Sequence, residues 1–175
     1  MAELETDPIV RLTGALDPRG GWSASRCTIA KAIDVVGNRS AFLILREAFY
    51  GTTRFDDFAA RVGVTESVAA ARLKALVDEG LLVKRPYREV GERTRYDYHL
   101  TEMGADFFPV LTALMQWGER WREPAGVQLR HRDCGAPVHA ELRCDQGHPV
   151  TVREIDLVPK SAAGTAQAAA ADSED

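Results

Sequence analysis

A mainly helical α+β fold is predicted by three features of this sequence. Two short amphipathic segments meet at Gly63, a basic hairpin pattern follows them, and an apolar helical pattern runs from about Glu102 to Arg122. A helix able to enter a major groove, beside a hairpin able to grip the flanking backbone, is the arrangement of a winged helix-turn-helix. The reading adds apolar helices before and after that module as dimerisation elements, and a small C-terminal β-hairpin extension.

Residues 1–25 hold Pro8, Pro18, Gly20 and Gly21 and no long periodic run, so a loose arm is expected. Thr28 to Val36 then offers Ile29, Ala32, Ile33 and Val36 as one apolar stripe. Cys27 stands just before this helix, where a helix N-terminus favours thiolate and Arg26 adds positive charge. Two readings remain open for it. One is a thiol that an oxidant or electrophile modifies, and the other is a small buried residue without chemistry.

Between Arg54 and Val62, Phe55, Phe58, Ala59 and Val62 recur at i, i+3, i+4 and i+7, which gives one apolar face. Asp56 and Asp57 suit the first turn of that helix, and Gly63 ends it. Val64 fills the corner. Thr65 is a good N-cap for a second helix that runs to about Glu79 and stops at Gly80. On this helix Ala69, Leu73, Leu76 and Val77 face inward. Thr65, Glu66, Ser67, Ala70, Ala71 and Lys74 remain outside, where small side chains let the backbone approach a groove floor. Thr65 and Ser67 can bond to bases or phosphates, and Lys74 can reach a phosphate.

Leu81, Leu82 and Val83 begin a buried strand, and Tyr96, Tyr98 and Leu100 alternate on the returning one. Between them lie Lys84, Arg85, Arg88, Arg93 and Arg95 against only Glu89 and Glu92. The chain as a whole carries −4, so positive charge is concentrated where a wing would touch phosphate. Arg88, Arg93 and Arg95 are the wing residues expected to contact DNA, with Arg93 and Arg95 placed to enter a narrow minor groove.

These residues have a familiar order. The span from Cys27 to Trp121 resembles the HxlR family of bacterial winged helix-turn-helix regulators, through RFDDF, the RL..L...GLL run, the Y.LT..G turn and PVL..L..W. The motifs are jointly specific, and the likeness covers over half of the chain. It departs from the family where Ser40 replaces a usual Trp in the helix over 39–49, where Ala69 replaces a common Leu, and where Glu66 is acidic. The resemblance implies double-stranded DNA as a partner, and dimerisation through the first and last helices of the domain. Ile29, Ile33, Phe107, Phe108, Leu111, Leu114, Met115, Trp117 and Trp121 would then form the interface. It also implies that Cys27 matches an N-terminal cysteine through which some members sense oxidants or electrophiles. A small-molecule effector is the other candidate signal.

Val127 to Pro159 alternates in polarity and contains CGAP and DQGH turns, as expected of a small β-rich extension. His131, Cys134, Cys144 and His148 make a candidate Cys2His2 set for Zn2+, spaced as two turns of a zinc ribbon. A typical knuckle would have a second thiol near Gly135 and at Gly147, and both are missing. His139 is a spare ligand candidate in mid-strand. An apo hairpin without metal is the competing reading. From Ser161 onward the low-complexity text SAAGTAQAAAADSED is expected to be disordered.

The expected organisation is therefore an arm over 1–25, a winged helix-turn-helix over 26–124, an extension over 127–159 and a tail over 160–175. No apolar run approaches the roughly 20 residues of a membrane span, and the N-terminus lacks a signal-peptide pattern, so a cytoplasmic protein is expected. No GxxxxGK loop, GxSxG elbow or CxxC pair occurs, which argues against an enzyme. The rival reading from another class is a winged-helix module that binds protein and not DNA.

Overall fold

The computed structural model describes residues 9–16, 27–88, 94–122 and 126–159. Two units emerge. One runs from Ser25 to Ala140, and the other unites the N-terminal residues with those from Glu141 onward.

The first unit begins with α1 (Thr28–Val36), which ends at Gly37 in the left-handed region. Asn38 caps α2 (Arg39–Phe49) by accepting from Ala41 N at 3.1 Å. Then come α3 (Phe55–Val62) and α4 (Glu66–Asp78), separated by Gly63 at φ +70°. Gly63 permits the tight turn because its N–H returns to the Ala59 carbonyl from a backbone state that other residues rarely adopt. The wing follows as β2 (Leu82–Tyr87) paired antiparallel with β3 (Arg95–Leu100), with Leu82 opposite Leu100 and Lys84 opposite Tyr98.

The core sits where α2, α3, α4 and the base of the wing converge. Ile44, Leu45, Phe58, Leu73, Leu76, Leu81 and Leu82 are its fully buried large side chains. Each contributes roughly 1.5–3 kcal/mol by burial. Tyr98 seals the wing side with its ring edge-on to Phe58 at 6.3 Å.

The single helix expected from Glu102 to Arg122 is corrected to two, α5 (Glu102–Ala105) and α6 (Phe108–Trp121). Pro109 is the reason. It has no N–H to continue the ladder from α5, and it is favoured where it now stands, in the first turn of α6. The Y.LT..G motif has an equally local cause. Thr101 Oγ1 donates to the Gly80 carbonyl at 2.6 Å and accepts from Gly104 N at 3.0 Å, which starts α5 and ties it to the wing base. Beyond α6, an isolated bridge between Arg130 and Pro137 closes a turn, and Gln116 of α6 holds the next stretch on both sides of His139. Its Nε2 donates to Val138 O at 2.9 Å and its Oε1 accepts from Ala140 N at 3.0 Å.

In the second unit the described part of the expected arm, residues 9–16, contains a short strand. β1 (Arg11–Leu12) pairs in parallel with β4 (Asp156–Leu157), and Arg11 meets the Asp156 carboxylate through Nε at 2.7 Å and Nη2 at 2.6 Å. A bridge between Arg143 and Pro149 closes the second expected turn. The tail over 160–175 lies outside the described residues.

Candidate nucleic-acid interface

The site is built from α4 and the wing. Thr65 caps α4 as expected, accepting from Val68 N at 3.4 Å, and its hydroxyl also meets Ser67 Oγ at 3.0 Å. Ala69, Leu73 and Leu76 are buried and fasten α4 to the core. Glu66, Ser67, Ala70, Ala71 and Lys74 are all exposed, together on the side of α4 turned from that core. Small side chains at 67, 70 and 71 leave the helix backbone accessible along this face.

Two details alter the expected chemistry. The Thr65 and Ser67 hydroxyls are already engaged with each other and with the helix end, so any base or phosphate contact would have to share them. Lys74 pairs with Asp78 one turn on, so reaching a phosphate requires it to leave an exposed ion pair, a modest cost of about 0.3–0.5 kcal/mol. Val68 was missed by the sequence reading. It is exposed at the flank of this face, where an apolar side chain can meet a thymine methyl group. The available signal was its helical position, one step off the buried stripe.

On the wing, Arg88 and Arg95 are exposed, and Arg93 lies outside the described residues. Lys84 and Arg85, counted in the sequence as charge alone, are also exposed on β2. Lys84 Nζ stands 3.9 Å over the Tyr96 ring, a cation–π contact that stiffens an otherwise mobile side chain. Because α4 packs on β2, the basic strand and the small-residue helix lie side by side in one unit.

The expected dimer residues divide into two groups. Ile29, Ile33, Leu114, Trp117 and Trp121 are exposed, Ile29 at 69 % and Trp121 at 61 %. Val110 joins them, and 110, 114, 117 and 121 make one stripe at helical spacing. Phe107 and Leu111 instead pack on the chain's own core, and Phe107 meets Phe42 at 5.6 Å. Phe108 stacks tilted on Phe49 at 4.8 Å, and Met115 is half-buried. Phe107 and Leu111 thus turn toward the chain's own core, while Phe108 and Met115 are half-buried beside the exposed stripe. The helix turns them about 100° per residue away from the exposed stripe.

Cys27 is half-buried at the N-cap of α1, and its side chain makes no capping hydrogen bond. His131 Nδ1 lies 3.2 Å from Cys134 Sγ, and Cys144 N donates to His148 O at 3.1 Å. Among the described residues no group of three or more His, Cys, Asp or Glu side chains is placed to hold a metal ion. His131 and Cys134 stand at one of the expected turns and Cys144 and His148 at the other, each turn closed by a bridge and backbone hydrogen bonds.

A match to the HxlR-like helix-turn-helix family spans residues 35–126, from the end of α1 to just past α6. The chain belongs to that family. It is 38% identical over 136 residues to Mb3122 of Mycobacterium bovis, an uncharacterised HTH-type transcriptional regulator, covering 75% of this chain and 85% of that one. The crystal structure of PA1607, a proposed transcription factor, superposes with a TM-score of 0.68 at 34% identity, covering 76% of this chain and 94% of that one. PA1374 of Pseudomonas aeruginosa, also a proposed transcription factor, gives a TM-score of 0.57 at 34% identity over 78% and 94%. The HxlR-like fold and a role in transcription regulation follow from these likenesses, as does a helix-turn-helix of the DNA-binding kind. Among the described residues no helix of this HxlR-like chain is long and apolar enough to cross a membrane.

Proposed function

We propose that the protein is a cytoplasmic, sequence-specific DNA-binding regulator that acts as a homodimer on a pseudo-palindromic operator. The carrying observation is the exposed, small-residue face of α4 fixed beside the basic wing strands. The α4 face reads the major groove, and the wing holds the flanking backbone. The exposed stripe of α6, with Ile29 and Ile33 of α1, supplies an apolar surface that a second copy would cover. A two-fold dimer would set its recognition helices about 34–36 Å apart.

The test selects bound fragments from the host's genomic DNA and measures binding to the selected duplex by fluorescence anisotropy. A recurring inverted repeat, bound with steep salt dependence, is the expected result. Salt-insensitive or absent binding would favour the protein-interaction reading. Trp117→Glu should convert a dimer into monomer in sedimentation velocity. An unchanged sedimentation coefficient would remove the α6 stripe from the interface.

Cys27 is proposed as the oxidant- or electrophile-sensitive thiol. Its half-buried place at the start of α1, beside exposed Ile29, puts any modification next to the dimer surface. Diamide should alter operator binding by the wild type and leave Cys27→Ser unaffected. An identical response of both proteins would exclude Cys27.

A further inference from the structure

A cavity of about 670 Å³ lies between α2, α6 and the segment at 127–129, and none of the DNA-facing residues lines it. Its floor is aromatic and aliphatic, with Phe42, Phe49, Phe108, Leu111 and Met115 on the two helices. Val127 and Leu129 close a third side. Those two residues follow the stretch matched to the family, residues 35–126. The Gln116 clamp on Val138 and Ala140 holds the chain beyond this wall against α6.

One polar feature marks the wall contributed by α2. Arg46 Nε and Nη2 donate to Glu47 Oε1 at 3.1 and 2.6 Å, and Thr52 Oγ1 donates to Glu47 Oε2 at 3.4 Å. Arg61 in turn donates to Thr52 Oγ1 at 3.0 Å. The Glu47 carboxylate is thus buried and neutralised by Arg46, whose side chain stays 40% exposed. A full charge on a ligand would meet no net charge there. A hydroxyl or carbonyl would find a donor and an acceptor.

We propose that this cavity binds an uncharged or phenolic aromatic small molecule. The volume lies within the range of roughly 300–1,000 Å³ usual for such ligands, and a mostly apolar lining with a few polar groups, the Arg46–Glu47 pair and Gln128 among them, matches their chemistry. A helix from a second copy is the less suitable occupant. The stripe at Val110, Leu114, Trp117 and Trp121 already offers it a different face of α6, while three sides of the cavity come from one chain. Leu114 belongs to both surfaces, so a bound ligand borders the proposed dimer contact. The inference rests on the regulator reading only for that consequence.

The test titrates the full chain, without DNA, with the uncharged fluorophore N-phenyl-1-naphthylamine. Saturable binding of one probe per chain is expected, weakened about tenfold or more, equivalent to about 1.4 kcal/mol, in Met115→Trp, which fills the cavity. Val127→Trp, at an exposed position on the rim, gives the same reading if the first variant does not fold. Three outcomes would overturn the proposal: no saturable binding, binding that neither variant changes, or binding that disappears as rising protein concentration produces dimer. Failure to bind DNA would leave the probe titration intact, so the two readings fail separately.

Discussion

Arg54 and Asp97 join the start of α3 to the returning strand of the wing. Arg54 Nε lies 3.3 Å from Asp97 Oδ1, the two backbones form an isolated antiparallel bridge, and the guanidinium stacks 3.5 Å from the centre of the Tyr87 ring. Arg54 Nη1 and Asp97 Oδ1 are buried without an aligned hydrogen bond, so the pair holds by charge and stacking. This side chain adds a polar link between wing and helix-turn-helix to the apolar contact of Tyr98 with Phe58.

Arg54→Ala should therefore destabilise the fold by about 1–3 kcal/mol, since it leaves a mostly buried carboxylate without its counter-charge. Arg54→Met combined with Asp97→Leu should recover part of that loss, because the buried charge is removed as well. Thermal unfolding of the two variants checks both expectations. Equal melting temperatures for Arg54→Ala and wild type would show the pair to be dispensable.

Arg95→Ala and Arg88→Ala on the wing should weaken binding to any duplex by similar amounts. Each should lower the slope of log K against log salt by about 1, as expected for a lost phosphate contact. Ser67→Val on α4 should instead change which sequences are preferred. Salt titrations on an operator and on an unrelated duplex separate the two behaviours.

Gly104 is required by close approach and not by backbone angle. A methyl group there would collide with the Leu81 carbonyl oxygen and stand 3.1 Å from Leu100 Cδ2. Gly104→Ala should cost about 3 kcal/mol, with the wing base forced away from α5. Denaturant unfolding gives the value. A cost under about 1 kcal/mol would mean that α5 shifts freely.

Acid should open the β1–β4 pairing. Hydrogen bonds from Arg11 hold the Asp156 carboxyl below the usual carboxylate range, and those from Thr151 N–H and hydroxyl do the same for Glu154. A depressed carboxylate stabilises the fold above its unfolded value of about 4, and this contribution disappears as pH falls through the lower folded value. Protection of the Thr13 amide, which donates to Leu157 O at 3.1 Å, should persist at neutral pH and fall on acidification. Asp156→Asn should flatten that dependence. Unchanged pH dependence in the variant would assign the effect elsewhere.

Much of the regulatory module was legible because its signals are short-range. The stripe Phe55, Phe58, Ala59 and Val62, the turn at Gly63 and the cap at Thr65 each act within one or two helical turns. α3 and α4 accordingly lie where the periodicity places them. The Pro109 break was also local and could have been read. Lys74 was legible as a cation on the outer face, but its engagement with Asp78 depends on rotamers that the spacing only permits.

The amino-acid sequence by itself determined the helix-turn-helix, the wing strands and the gathering of positive charge between them, because hydrophobic period, capping and turn chemistry are properties of neighbouring residues. Tertiary structure alone decided that Phe107 and Leu111 turn inward while Trp117 and Trp121 stay exposed. It alone decided that Arg11 pairs with Asp156, and that α2, α6 and residues 127–129 line an open cavity. Those outcomes depend on groups far apart in the chain, and local spacing carries no record of which of several apolar faces finds a partner.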